Sequence, residues 1–193
     1  MTSQTDVIRC FGGQDPLMCA YHDQEWGVPV HDDRALFEKL MLDAFQAGLS
    51  WRVILNKRNA FQEAFSGFEL ELVAAYGPED VERLMGNEGI VRNRAKIEAA
   101  VVNAQASLAI QKTEGSLAGF LWSFTGGETI QGLKVDGWQD KPTQSAESRA
   151  MSTALRERGF KFVGPTVCYA FMQAVGMIDD HLATCFKYSG SDR

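Results

Sequence analysis

The sequence predicts an all-α fold. Apolar residues recur at helical spacing through several stretches, capping residues stand where those stretches begin, and glycines stand where they end. Runs that alternate apolar and polar residues are scarce, so strands have little to claim.

The elements follow in order. Asp33 can cap a helix through Leu36, Phe37, Leu40 and Met41 that Gly48 ends. A further helical stretch covers 52–65. Gly77-Pro78 opens a helix over 79–85, with proline at its first position and acids in its first turn. After Gly89, the residues Ile97, Ala100, Val101, Ala104 and Leu108 fall along one helical face. The stretch 123–143, rich in Gly, Thr, Asp and Pro, reads as an irregular crossing loop. Ser145 can cap a helix ending at Gly159, and a last long helix spans 165–177.

With 193 residues, 45% apolar and 23% charged, the chain is sized for one globular unit or two small lobes sharing a cleft. We expect a single unit over 1–193, with a helical lobe at 35–120 and a terminal lobe of 1–34 plus 121–193. The polar start MTSQTD and the lack of a bilayer-length apolar run predict a cytoplasmic protein with no membrane partner; a monomeric state is a separate expectation. Four cysteines, at 10, 19, 168 and 185, are too few for a disulfide scaffold. The net charge of −6 argues against nucleic acid only weakly, because a local basic patch is what meets phosphates. Arg92, Arg94 and Lys96 form one candidate patch, and Arg156, Arg158 and Lys161 a second.

Cys10 and His22 near the start, with His181 and Cys185 near the end, make a Cys2His2 set suited to zinc. His181 and Cys185 would lie one helical turn apart as a clamp, tying the N-terminal segment to a C-terminal helix. Four protein ligands leave no open position for an activated water, so such a site is structural. Asp23, Asp179 and Asp180 are available to orient the imidazoles. Without a shared metal, each histidine is simply a surface or hydrogen-bonded core residue. Cys19 and Cys168 sit in apolar surroundings and read as core.

The stretch LMGNEGIVRNRAKI, 84–97, resembles a helix-hairpin-helix element within 79–105. Its turn passes through Gly89, and the next helix starts near Val91 or Arg92, where free N–H groups suit a phosphate. An ordinary helical corner with a solvated basic face is the plainer reading. Asp43 shares a helical stripe with Leu36, Leu40 and Ala47, so it points toward the core, where a carboxylate is costly unless bonded or bound to a ligand. Trp51, Phe11, Tyr21 and Trp26 supply aromatic faces able to stack a flat, cationic heterocycle, or simply to fill a core.

Taken together, the stretches DPLMCAYHDQEWGVP (15–29), QAGLSW (46–51), GIVRNRAKI (89–97), FLWSF (120–124) and RGFKFVGPTVCYAFMQAVGMIDDH (158–181) resemble the 3-methyladenine DNA glycosylase I family over nearly the whole chain. The resemblance implies a helix-hairpin-helix glycosylase fold whose N- and C-terminal segments are joined by zinc on Cys10, His22, His181 and Cys185. It places Tyr21 and Trp51 as stacking residues, with Phe11 nearest to the family's N-terminal tryptophan, and Asp43 as the base-contacting acid. That acid is normally a glutamate in LEGQQAGLSW; here the stretch reads LDAFQAGLSW, one methylene shorter and with Phe45 in place of a glutamine. The family lacks the usual catalytic aspartate after the hairpin, and no lysine is placed for a lyase reaction. Gly89, Arg92, Arg94 and Lys161 are the expected DNA contacts. The implied activity is monofunctional hydrolysis of the N-glycosidic bond of 3-methyladenine in alkylated duplex DNA, releasing the base and leaving an abasic site. A zinc-stabilised module that binds DNA or damaged bases without excision is the alternative.

Overall fold

The computed structural model describes residues 7–189. Helices α1 (Pro16–Gln24), α2 (Asp33–Gln46), α3 (Trp51–Ala64), α4 (Leu70–Ala74), α5 (Pro78–Met85), α6 (Arg94–Glu114), α7 (Leu117–Trp122), α8 (Ala146–Glu157) and α9 (Pro165–Ala174) build it, with one pair of two-residue strands. In the centre lies α2. It packs against α3, α6, α7 and α9, and it buries Leu36, Phe37, Leu40, Met41, Leu42 and Phe45. A helix apolar over most of its circumference has no solvent face, which is why the rest of the chain wraps it.

Local chemistry sets most boundaries as expected. Pro78 opens α5, and Ser145 caps α8 by accepting the Ser148 N–H at 3.1 Å. The helix α2 departs in one detail. Asp32, not Asp33, is its cap, accepting the Ala35 N–H at 2.8 Å. The Asp33 carboxylate reaches instead to the N-terminus of α7, taking the N–H groups of Leu117 (2.9 Å) and Ala118 (2.7 Å). That bond satisfies two orphan donors of a distant helix.

The hairpin helix starts at Arg94 rather than near Val91 or Arg92, because Asn93 supplies the cap. The last helix stops at Ala174, short of the expected 177. Gly176 adopts φ +74°, and a Cβ there would stand 2.5 Å from the Pro29 nitrogen, so only glycine lets the two segments approach.

The C-terminal pair is not a helical clamp. After Gly176 the chain forms β2 (Ile178–Asp179), parallel to β1 (Ile130–Gln131) with Ile130 opposite Ile178, and then a series of turns. His181 and Cys185 lie on those turns, stabilised by the Cys185 N–H to Leu182 carbonyl bond at 2.8 Å. The crossing stretch 123–143 is irregular as expected. Buried Lys141 pins it by donating to the Leu133 carbonyl and to Asp180, both at 2.6 Å. No helix among the described residues is long and apolar enough to cross a membrane.

Candidate functional site

A pocket of about 170 Å³ opens between α1, α2, α3 and α9, lined by Phe11, Met18, Tyr21, Trp26, Lys39, Asp43, Gln46, Trp51, Ala170, Gln173 and Ala174. The expected ring residues converge there. Tyr21 and Trp51 stand 5.2 Å apart at 42°, and Phe11 lies 6.2 Å from Tyr21. Asp43 is 4% exposed, near the C-terminal end of α2. Its Oδ1 accepts from the Lys39 ammonium one turn earlier, whereas its Oδ2 is buried without a partner. The indole nitrogen of Trp51 is likewise buried and unpartnered.

Burial pushes the Asp43 carboxyl above its ordinary value, partly opposed by the Lys39 charge beside it. Burial also pushes Lys39 below its ordinary value, while Asp43 draws it back up. Phe45, the other departure in this stretch, does not line the pocket. It packs 4.8 Å from Phe61 and 5.7 Å from Phe65 on the core side of α2. Behind this end of the helix, the buried Lys96 ammonium donates to the carbonyls of Phe45 (2.9 Å) and Ala47 (2.7 Å). Lys96 is therefore a helix C-cap, not part of the exposed basic patch, and its charge favours the negative end of α2.

Next to the pocket, the terminal residues gather. Cys10, His22 and Cys185 are buried, with their ligand atoms within 4.8 Å of one another. His181 lies outside that close trio. Its ring centroid stands 5.6 Å from that of His22, and its Nε2 is buried without a hydrogen-bond partner. Carboxylates hold the other nitrogens of both rings: Asp23 meets His22 Nδ1 at 2.9 Å, and Asp179 meets His181 Nδ1 at 2.7 Å. Asp180 does not join them, because Lys141, Tyr169 and Gln173 occupy it.

Burial pushes the Cys10 thiol up to about 12 and lowers His22, so both prefer their neutral forms unless a cation sits among them. Two sulfurs and a fixed imidazole, beside a second imidazole with an orphaned nitrogen, suit a soft-ligand divalent ion. Gly27 makes room for this cluster, since a Cβ there would stand 2.7 Å from His181 Cε1.

The hairpin between α5 and α6 follows a tight path over α3. A Cβ on Gly89 would meet that of Ala60 at 2.9 Å, so close packing requires glycine. The Gly89 N–H is already bonded to Asn87 Oδ1 at 2.8 Å, which removes it as a free phosphate donor. Arg92 and Arg94 are exposed and pair with Glu88 and Glu82. Lys161 is exposed on a backbone clamped to α6 by Asn103, which accepts its N–H at 2.8 Å and donates to its carbonyl at 3.1 Å.

Lys39 and Gln173 are pocket residues that sequence reasoning missed. The i, i+4 spacing from Lys39 to Asp43 was the available signal for the first. Gln173 comes from a distant element and carries no such mark.

The arrangement defines a helical protein with an aromatic-lined pocket around one buried acid. Residues 11–188 match the methyladenine glycosylase family. The chain is 46% identical to DNA-3-methyladenine glycosylase 1 of Escherichia coli (strain K12), covering 92% of this chain and 95% of that one. It superposes with a TM-score of 0.90 on a crystal structure of 3-methyladenine DNA glycosylase I, at 47% identity over 94% of this chain and 100% of that one. It also matches a tyrosine-to-phenylalanine variant of such an enzyme in complex with 3-methyladenine, with a TM-score of 0.88 and 41% identity over 92% and 95% of the two chains. The chain belongs to the methyladenine glycosylase family.

Proposed function

We propose that this protein is a DNA-3-methyladenine glycosylase, hydrolysing the N-glycosidic bond of 3-methyladenine in alkylated DNA and leaving an abasic site. The observation that carries this reading is the buried, unpartnered Oδ2 of Asp43 in an aromatic pocket of about 170 Å³. A carboxylate with an open acceptor beside tyrosine and tryptophan rings suits a flat cation.

Methylation at N3 makes the adenine positively charged. Heterolysis of its bond to the sugar sends the electron pair to the ring, which leaves as a neutral base, and water adds to the oxocarbenium-like sugar. The protein therefore needs to expose and hold the nucleotide more than to protonate it. Tyr21, Trp51 and Phe11 offer ring faces, and Asp43 accepts hydrogen bonds from the base.

Cys10, His22, His181 and Cys185 hold a structural zinc ion on this reading, supported by the buried trio and the orphaned His181 Nε2. The ion contributes rigidity. Cys10 precedes Phe11 and His22 follows Tyr21, so a fixed clasp fixes two pocket walls. The helix–turn–helix over α5 and α6 serves as a helix-hairpin-helix element, and Arg92, Arg94 and Lys161 meet phosphates. The deciding experiment incubates the protein with methylated duplex DNA and separates released bases by chromatography. A 3-methyladenine peak with negligible 7-methylguanine is expected. Binding without released base, from folded and metal-replete protein, would overturn the reading in favour of a binding module.

A further inference from the structure

The ammonium of Lys39 stands where a bound cation is wanted. It donates to Asp43 Oδ1 and lies 4.1 Å from the centroid of the Trp51 ring. A cation over tryptophan with a carboxylate beside it is the same pair of attractions that a methylated purine cation would use. Lys39 also lines a second cavity of about 270 Å³, whose walls include Glu25, Glu38, Arg58 and Gln62, together with Tyr21 and Trp51 from the first pocket. The lysine is thus part of the partition between two spaces, one with Asp43 and one with two glutamates.

We propose that Lys39 is a specificity-determining residue: its ammonium holds the cation position between Trp51 and Asp43 in the empty pocket, and a methylated purine cation binds by displacing it toward the Glu25–Glu38 side. The proposal rests on the reading of this pocket as a site for cationic bases. The Lys39 ammonium cancels the attraction of Asp43 and at close range repels an incoming cation until it moves, and a low-dielectric pocket strengthens that repulsion. A flexible four-carbon stem permits the movement without a backbone shift. Glu25 and Glu38 then receive the charge, although Arg58 and Arg34 already bond to them and limit the gain. A neutral ring of the same shape can enter beside the ammonium without that penalty. Lys39 therefore narrows the advantage that charge alone gives to cationic bases, leaving shape to contribute more of the selection.

The test uses two small probes, the permanently charged 3,9-dimethyladeninium ion and its neutral 3-deaza counterpart, in which carbon replaces N3. Affinities for wild type, K39M, K39Q and K39R are read from tryptophan fluorescence, with circular dichroism confirming the fold. K39M is expected to tighten the charged probe on the order of tenfold, the strength of one desolvated cation–π contact, and to change the neutral probe less than about twofold. K39Q gives the same direction while keeping a donor toward Asp43, and it carries the test if K39M does not fold. K39R, which keeps the charge, retains the wild-type ratio. An unchanged ratio of charged to neutral affinity in K39M and K39Q overturns the proposal, as does equal weakening of both probes, which marks Lys39 as a prop for Asp43. Wild-type protein that binds neither probe overturns the cationic-base reading of the pocket itself, and with it the proposal.

Discussion

Replacing Cys185 with serine removes one sulfur from the terminal clasp and tests both the metal and its link to the base pocket. Cys10, His22, His181 and Cys185 are 7%, 0%, 3% and 5% exposed, so solvent cannot easily replace a lost ligand. If C185S weakens the site about a hundredfold at a metal concentration that saturates wild type, mass action removes about 2.7 kcal/mol of stability. A chain of this size shifts by about 2–4 °C for each kcal/mol, which puts the expected fall in Tm at about 5–11 °C. Calorimetry on untreated, chelated and zinc-restored protein measures it, and elemental analysis counts the zinc. Chelated wild type should melt near C185S, and added zinc should restore only wild type. Because Phe11 and Tyr21 adjoin Cys10 and His22, base affinity should fall along with Tm. Chelated protein that melts within about 1 °C of untreated protein, with C185S indistinguishable from both, would refute the clasp as a metal site.

D43N removes the buried charge and should lower kcat/KM for 3-methyladenine excision by about 10- to 100-fold, the worth of a hydrogen bond to a charged group, in single-turnover assays on methylated DNA. The Asp43 carboxyl is raised by burial, so it gains a proton, and excision declines, at a pH above the ordinary 3.8; a pH–rate profile of folded protein should show this acid limb in wild type and not in D43N. K161A should weaken DNA binding and reduce the slope of log K against log salt by about one, and equal curves across salt would exclude a phosphate contact. K96M strips the carbonyls of Phe45 and Ala47 of their donor and should destabilise the protein by about 2 kcal/mol in a urea titration, with an unchanged midpoint counting against the cap.

Features governed by neighbours in sequence were legible. Pro78 starts α5 through its fixed backbone angle and Ser145 starts α8 through a bond made within one turn, so both positions follow from local chemistry. Asp43 was legible for a related reason: helical periodicity aims it at the core, where an acid requires an explanation. Choices among distant partners were not legible. Asp33 looks like a cap for its own helix, yet its carboxylate serves α7. Lys96 looks like a member of a basic patch, but the open carbonyls at the end of α2 turn it inward. Gly89 suits a phosphate turn by type, whereas Asn87 takes its N–H and Ala60 limits the space. Cys10, His22, His181 and Cys185 could be listed from sequence, but the meeting of Cys10, His22 and Cys185 depends on turns after β2 that no periodicity marks.

The buried acid and the lysines around it also explain how the pocket can exist before it is filled. An isolated carboxylate near a helix C-terminus suffers both desolvation and the negative end of the dipole. Lys96 offsets the second effect by bonding to the terminal carbonyls, and it does so from outside the pocket. Lys39 offsets the first by bonding to Asp43 Oδ1, yet it leaves Oδ2 without a partner. The folded protein therefore keeps its acid partly neutralised and still open to a ligand. Two lysines on α2 and α6 thus divide one electrostatic problem, so their substitutions should separate: K96M should act first on stability, and K39M first on which base is bound.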